Sequence, residues 1–439
     1  MLPADAIFFP ARPGLGLIGR QISPDLERRL VETAAYTKSF ELAAKAAQTW
    51  TDRTFSGRNI GRLAEDVGAE MVTARDAEVS DFIHHRQEPS EPDPKHDLVA
   101  VLVDGGRIQM REATGTPGPG VHKHGWREDK VARLQTMKSQ TFEIDPCPEP
   151  PACFLDPKKL QKLFGINENG AIPETKALVP ETNATPTLDT GTDTPSTDES
   201  RWQPKPLVRT CVATMEKADR FRWMVWAESK RRHFFTAKRK AFVADGQEYN
   251  WTIRERQFSD FIPILDFMHA AGYLYGAAVV LGRQLPNPAT ATATIYQDWI
   301  RDAWQGRANE VLPKLEAALN DAKLGPETLP DDHAWKPLQR AATYFNNHRD
   351  KMNYPEYRRQ GLPTTSSLIE SQIKEFNYRM KGSEKFWNEE NAEALLQVIA
   401  RTLRDDGQSL REFMAHRSGH PYTRRSTHTA KTDATANAA

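Results

Sequence analysis

Residues 98 to 103 read Leu-Val-Ala-Val-Leu-Val, six apolar positions without a break. A strand with one solvated face would alternate, so an unbroken run predicts a central strand buried on both faces. The Asp-Gly-Gly that follows reads as a turn into "RIQMRE", which alternates with period two, so residues 97 to 112 predict a hairpin. Further along, "PLVRTCVATM" reads as a strand, "DRFRWMVWAESKRR" as a helix, "KAFVADG" as a strand, "QEYNWTIRERQF" as a helix and "DFIPILDFMH" as a strand. Such alternation predicts an α/β layer with parallel members. From Ala270 to about Leu362 the pattern turns wholly helical, with Trp299, Trp304, Trp335, Tyr344 and Phe345 among its apolar positions. These aromatics read first as core residues and second as platforms for unpaired bases.

The flanks are also helical. Residues 24 to 85 carry apolar positions three and four apart, and Ile60, Leu63, Val67 and Met71 form one stripe behind a Ser56 cap. Two short helices joined by a Gly-containing turn would make a helix-turn-helix, with Arg58 and Arg62 on the DNA-reading helix; a plain helical hairpin with a basic face fits as well. Near the other end, "SSLIESQIKEFNYRMKG" is a helix with Ile369, Ile373, Phe376 and Met380 in one stripe. Glu370, Lys374, Asn377 and Lys381 form a second stripe about 100° away.

Charge redraws this picture only locally. Lys plus Arg (59) equal Asp plus Glu (59) over 439 residues, yet residues 201 to 240 carry 12 basic against 3 acidic residues. Residues 181 to 200 carry acids and no bases, and the Pro/Thr/Asp-rich stretch 147–200 has little to bury, which predicts a disordered insertion. Three cysteines are too few and too irregular for a disulfide framework or a four-ligand zinc site. No run approaches the roughly 18 apolar residues of a membrane span. The expected organisation is therefore a helical DNA-binding region (1–90), a core in two parts (91–146 with 201–269), the insertion 147–200, a helical insertion (270–362), the last core segment (363–415) and a disordered tail (416–439).

The candidate chemistry is carboxylate chemistry. Asp104 follows the central run, Asp245 follows "FVA", Asp266 follows "PIL", and Glu370 rides on the late helix. Singly each has an ordinary reading: Asp245-Gly246 is a common turn, and Glu370 with Lys374 is a common surface pair. Together the order strand, strand, strand, helix, strand, helix, with aspartates on strands one and four and a glutamate on the last helix, is the layout of a ribonuclease H-like fold.

At these residues the chain resembles the bacterial insertion-sequence transposases with an Asp-Asp-Glu triad, particularly the ISKra type and its Mutator-like relatives. The resemblance spans about residues 95 to 405 outside the insertion. It rests on "VLVDGGRIQMRE", "GWREDK", "FVADGQEYNW", "ILDFMHAAGYL" and above all "YFNNHRDKMNYPEYRRQGLPTTSSLIESQIKEFNYRMKGSEKFW". It implies that Asp104, Asp245 and Glu370 are a catalytic triad holding two Mg²⁺ ions, with Mn²⁺ able to substitute, and that Asp266 and His269 form a supporting DxxH signature. Asp266 rivals Asp245 for the second position; Asp245 is preferred because the fourth strand adjoins the first in that fold. Lys374, Arg379 and Lys381 are placed to hold DNA phosphates, as is the basic run "SKRRHFFTAKRK". The implied protein is cytoplasmic and nucleoid-associated, and acts as a homo-oligomer on transposon ends and target DNA, away from membranes. Two alternatives remain: a nuclease without strand transfer, and an inactive transposase-derived DNA-binding protein. The chain departs from many relatives in having no cysteine before Cys147 to build an N-terminal zinc motif.

Overall fold

A computed structural model describes residues 22–86, 95–111, 121–122, 125–156, 202–324, 327–382 and 385–417. Most of the expected insertion, from residue 157, and the tail from residue 418 lie outside the described residues. The fold is a mixed α/β sheet embedded in helices. Its strands are β1 (Leu98–Gln109), β2 (Val121–His122), β3 (Trp126–Lys138), β4 (Lys205–Thr214), β5 (Arg239–Ala244) and β6 (Ile262–Leu265). The long strands lie in the order β4-β3-β1-β5-β6, with the two-residue β2 on the start of β3. β3 runs antiparallel to β1 and β4, whereas β1, β5 and β6 are mutually parallel. Leu98 to Val103 are all buried, as a strand covered on both faces requires.

The expected turn at Asp104-Gly105-Gly106 is not there. β1 passes straight through it, with Asp104 opposite Val131 and Gly106 opposite Asp129 on β3. A local Asp-Gly-Gly signal loses to a packing demand, because a Cβ on Gly106 would sit 2.7 Å from the Asp129 carboxylate. The hairpin partner is instead the strand that begins at "WREDK".

The N-terminal part also differs from two short helices. It forms α1 (Pro24–Tyr36), α2 (Phe40–Trp50) and α3 (Gly57–Ile83), capped by the Ser23, Ser39 and Ser56 side chains. α3 has 27 residues, and the connection before it contains no glycine. Its Ile60, Val67 and Met71 are buried, each worth roughly 1.5–3 kcal/mol. α3 lies so close to α12 (Glu389–Thr402) that a Cβ on Gly68 would be 2.3 Å from the Ala394 carbonyl oxygen. The ion pair Arg75–Glu393 ties the same two helices together, and Arg417 near the C-terminal end of the described residues pairs with Glu27 on α1 and Glu70 on α3. This segment is thus part of the core's cladding, with Arg58 and Arg62 on its exposed side.

Between sheet and C-terminus run α4 (Ala218–Arg231), α5 (Glu248–Gln257), α6 (Phe267–Gly282), α7 (Pro288–Trp304), α8 (Ala308–Asp321), α9 (Lys336–His348), α10 (Tyr354–Arg359) and α11 (Ser367–Met380). The final helix is α13 (Gln408–His416). α6 starts three residues before the expected border of the helical segment and runs across it. Trp299, Trp304, Tyr344 and Phe345 are core residues. The first residues of the expected insertion are packed onto the core: Phe154 lies edge-on against Phe267, and Trp304 Nε1 donates to the Cys147 carbonyl at 2.7 Å. α11 lies across β1 and β3 with Ile369, Ile373, Phe376 and Met380 buried, the stripe its sequence predicts. Among the described residues no helix is long and apolar enough to cross a membrane.

Candidate active site

Parallel pairing places three aspartates in a row. Val103 pairs with Ala244 and Ala244 with Leu265, so Asp104, Asp245 and Asp266 each follow the last paired residue of adjacent strands β1, β5 and β6. Carboxyl ends of parallel strands are where an open α/β sheet collects functional groups. All three side chains are buried, at 3, 5 and 0 % exposure. Buried carboxylates must be satisfied by hydrogen bonds, opposite charge or a cation.

Their local partners differ. Asp104 Oδ1 accepts the Gly105 N–H at 2.7 Å. Asp245 Oδ1 accepts from Gln247 N at 3.1 Å and from Asn250 Nδ2 at 2.8 Å, so this residue does form a turn, the one that starts α5. Asp266 is the cap of α6. Its Oδ1 accepts from Met268 N and Ser366 N, and its Oδ2 from His269 N and His269 Nδ1. Burial opposes ionisation of Asp266, but the His269 and Ser366 interactions outweigh it and hold the carboxyl below its ordinary range. The DxxH residues therefore belong to a helix start, whereas the sequence had placed them on a strand end.

Glu370 sits in the first turn of α11, where Ser366 Oγ donates to Oε1 at 3.0 Å. Burial and then the neighbouring Asp266 raise its pKa; His269 and Ser366 oppose this, and Asp104 adds to it. Asp266, His269 and Glu370 each offer one ligand atom within 4.8 Å of the others. The structure thus brings Glu370 together with Asp266, His269 and the charge of Asp104, with Asp245 one strand over. Carboxylates that disfavour one another's ionisation fit a divalent cation, which would relieve that repulsion.

Four residues around the row carry no sequence signal of their own. Asp129, on β3, is 1 % exposed, its Oδ1 lacks a hydrogen-bond partner among the described residues, and burial pushes its pKa up to about 6 against the pull of Lys381. Tyr249 on α5 is raised well above its ordinary pKa by burial, then by Glu128, Asp245 and Asp104. Tyr344 and His348, one turn apart on α9, close over Gly246: a Cβ there would lie 2.4 Å from the Tyr344 ring and 3.0 Å from His348 Nε2. Burial and Lys351 lower the His348 pKa, while Gly246 and Asp245 oppose the shift. A tyrosine and histidine at i and i+4 in "YFNNH" is the only cue the sequence offered.

The expected phosphate-binding residues divide. Lys374 is exposed and Lys381 half-buried. Arg379 is not on a surface: at 1 % exposure it donates to the Ala34 carbonyl and lies 4.0 Å from the Phe40 ring centroid. Its role is to fasten α11 to the α1–α2 turn. The basic run near residue 230 is likewise largely spent within the protein. Arg231 pairs with Glu228, Arg232 donates to the Leu134 carbonyl, Arg239 pairs with Asp97 and Lys240 with Asp260.

Comparison of the chain with protein-family models and with curated proteins found no match to either.

Proposed function

We propose that the chain is a transposase of the Asp-Asp-Glu class, built on a ribonuclease H-like core, that cleaves and joins insertion-sequence DNA ends. The observation that carries this reading is the strand order β4-β3-β1-β5-β6 with β3 alone reversed, combined with acids just past the last β1–β5 pair, Val103 with Ala244, and on the helix laid across β1 and β3. That arrangement agrees with the layout implied by the sequence resemblance. Asp104, Asp245 and Glu370 are the residues proposed to hold the ions. Bound Mg²⁺ supplies charge neutralisation at phosphorus and a more acidic attacking water or 3′-hydroxyl.

The chain's own groups have the remaining tasks. Burial of Asp104 and Asp245 keeps their oxygens fixed by Gly105, Gln247 and Asn250, so that little reorganisation accompanies reaction. Asp266 positions His269 and the start of α11, and through α11 it positions Glu370. Exposed Lys374, with Arg58 and Arg62 on α3, contributes sequence-independent phosphate contacts. The working form is a homo-oligomer on paired DNA ends.

The test is incubation of purified protein with Mg²⁺ and end-labelled DNA from the sequence flanking its coding region. Cleavage at a 3′ end and its joining to a second duplex are the expected products. Cleavage without joining would leave a nuclease, and binding without either would leave a DNA-binding protein.

A further inference from the structure

We propose that His269 is a nitrogen ligand beside Glu370, so that this site prefers a first-row transition ion to Mg²⁺. The inference deepens the proposed function by naming the metal class of the same site, and it rests on that reading only for its catalytic meaning. Its first support is the division of labour within the Asp266, His269 and Glu370 group. Asp266 is fully buried and already accepts four N–H donors, from Met268, His269 (twice) and Ser366. A carboxylate so saturated orients its neighbours; it has little left to give an ion. One of the four donors is His269 Nδ1, and a neutral imidazole that donates through Nδ1 carries its lone pair on Nε2. Carboxylate, histidine and metal in that order is a recurrent way of fixing both tautomer and ring direction.

The backbone makes the orientation rigid. His269 occupies the first turn of α6, so the carboxylate that holds its ring also accepts its N–H. Through Ser366 N the same carboxylate ties down the start of α11, which carries Glu370 one turn later. Imidazole and carboxylate are thus positioned by one shared group.

An independent observation comes from α9. Tyr344 is 7 % exposed, its hydroxyl has no hydrogen-bond partner among the described residues, and it is near enough to Asp266 and Asp245 to feel both charges. Its ring stacks on Tyr273, one turn beyond His269, at 4.2 Å between centroids. A buried hydroxyl left unpaired beside a polar cluster calls for a partner that the protein does not supply, and an oxygen of a bound ion's hydration shell meets that need. Mg²⁺ demands oxygen ligands in near-ideal octahedra, whereas imidazole suits the first-row ions Fe²⁺, Ni²⁺, Cu²⁺ and Zn²⁺; Mn²⁺ serves here as the paramagnetic probe of the same site.

The experiment uses the full chain and Mn²⁺ alone, without DNA. Pulsed electron spin resonance of the bound Mn²⁺ should show coupling to a ¹⁴N nucleus, replaced by ¹⁵N coupling after histidine-specific labelling. His269→Ala should abolish it. Asp266→Asn should weaken Mn²⁺ binding by roughly ten- to a hundredfold. His348→Ala, which removes the other histidine near the row, and Asp104→Asn, which exchanges a carboxylate oxygen for an amide nitrogen without a lone pair to give the ion, should both retain the histidine ¹⁵N coupling in labelled protein. Bound Mn²⁺ coupled only to water and oxygen in the unmodified chain would overturn the assignment, whether or not any variant folds. Survival of the coupling in His269→Ala would overturn it too. Because no DNA is present, failure of strand transfer and failure of nitrogen ligation are read separately.

Discussion

Asp266 Oδ1 accepts the backbone N–H of Ser366 at 2.7 Å across a sequence separation of 100 residues. This bond joins the start of α6 to the start of α11, and so joins the strand-end row of aspartates to the helix that carries Glu370. It explains why the helical segment between them can be long without loosening the site.

Asp266→Asn should therefore act on stability as well as on the site. The amide presents an N–H₂ to a cage of donors, and breaking a buried charged network of this kind costs roughly 3 kcal/mol. Urea titration at pH 7 should show that loss. Because the folded-state pKa of Asp266 lies below its ordinary 3.8, its contribution is present above that value and disappears as pH falls through the lower, folded one. The variant and the parent should accordingly converge in stability in strong acid.

Asp129 behaves in the opposite sense. Its folded pKa is raised from 3.8 to about 6, so folding disfavours its charge, with a penalty that grows from pH 4 to pH 6 and is complete above it. A shift of that size corresponds to about 3 kcal/mol at most. Asp129→Asn should raise the melting temperature at pH 8 and leave it nearly unchanged at pH 4. Equal effects at both pH values would mean that burial does not oppose ionisation of this carboxylate.

Much of this was legible in the sequence, and the misreadings have physical causes. The run Leu98 to Val103 announced a central strand because both faces are covered, and the Ile369 stripe announced α11 because one face docks on the sheet. Asp104-Gly105-Gly106 misled because turn preference is local, whereas the demand for Cβ-less residues comes from Asp129 on the partner strand. Arg379 misled because cations default to the surface, and nothing nearby in sequence reveals that Phe40, Trp387 and the Ala34 carbonyl form its socket. Tyr344 and His348 were invisible as site residues because only the tertiary fold lowers α9 onto Gly246.

Lys374 and Arg379 should separate cleanly. Lys374→Ala should weaken DNA binding and reduce the slope of log affinity against log salt by about one, with melting unchanged. Arg379→Ala should lower stability by roughly 2 kcal/mol through loss of its stacking and carbonyl bonds, with an unaltered salt slope in the folded fraction. The reverse pattern would put Arg379 on the DNA.

The choice between Asp245 and Asp266 can be decided by comparing three amides at the same row. Asp104→Asn should reduce cleavage by at least about a hundredfold, equivalent to roughly 3 kcal/mol in the barrier, while DNA affinity stays within about twofold. Asp245→Asn should do the same with little change in melting, because the amide oxygen still accepts the Gln247 N–H that starts α5. Asn250→Ala, which removes the second donor to Asp245 Oδ1, should lower the cleavage rate less than loss of the carboxylate itself. At saturating metal, where its weaker metal binding is overcome, Asp266→Asn should lose cleavage only in proportion to its loss of fold. If instead Asp245→Asn keeps cleavage within about tenfold, and Asp266→Asn loses it while still folded, the second acid is Asp266 and Asp245 serves only the turn.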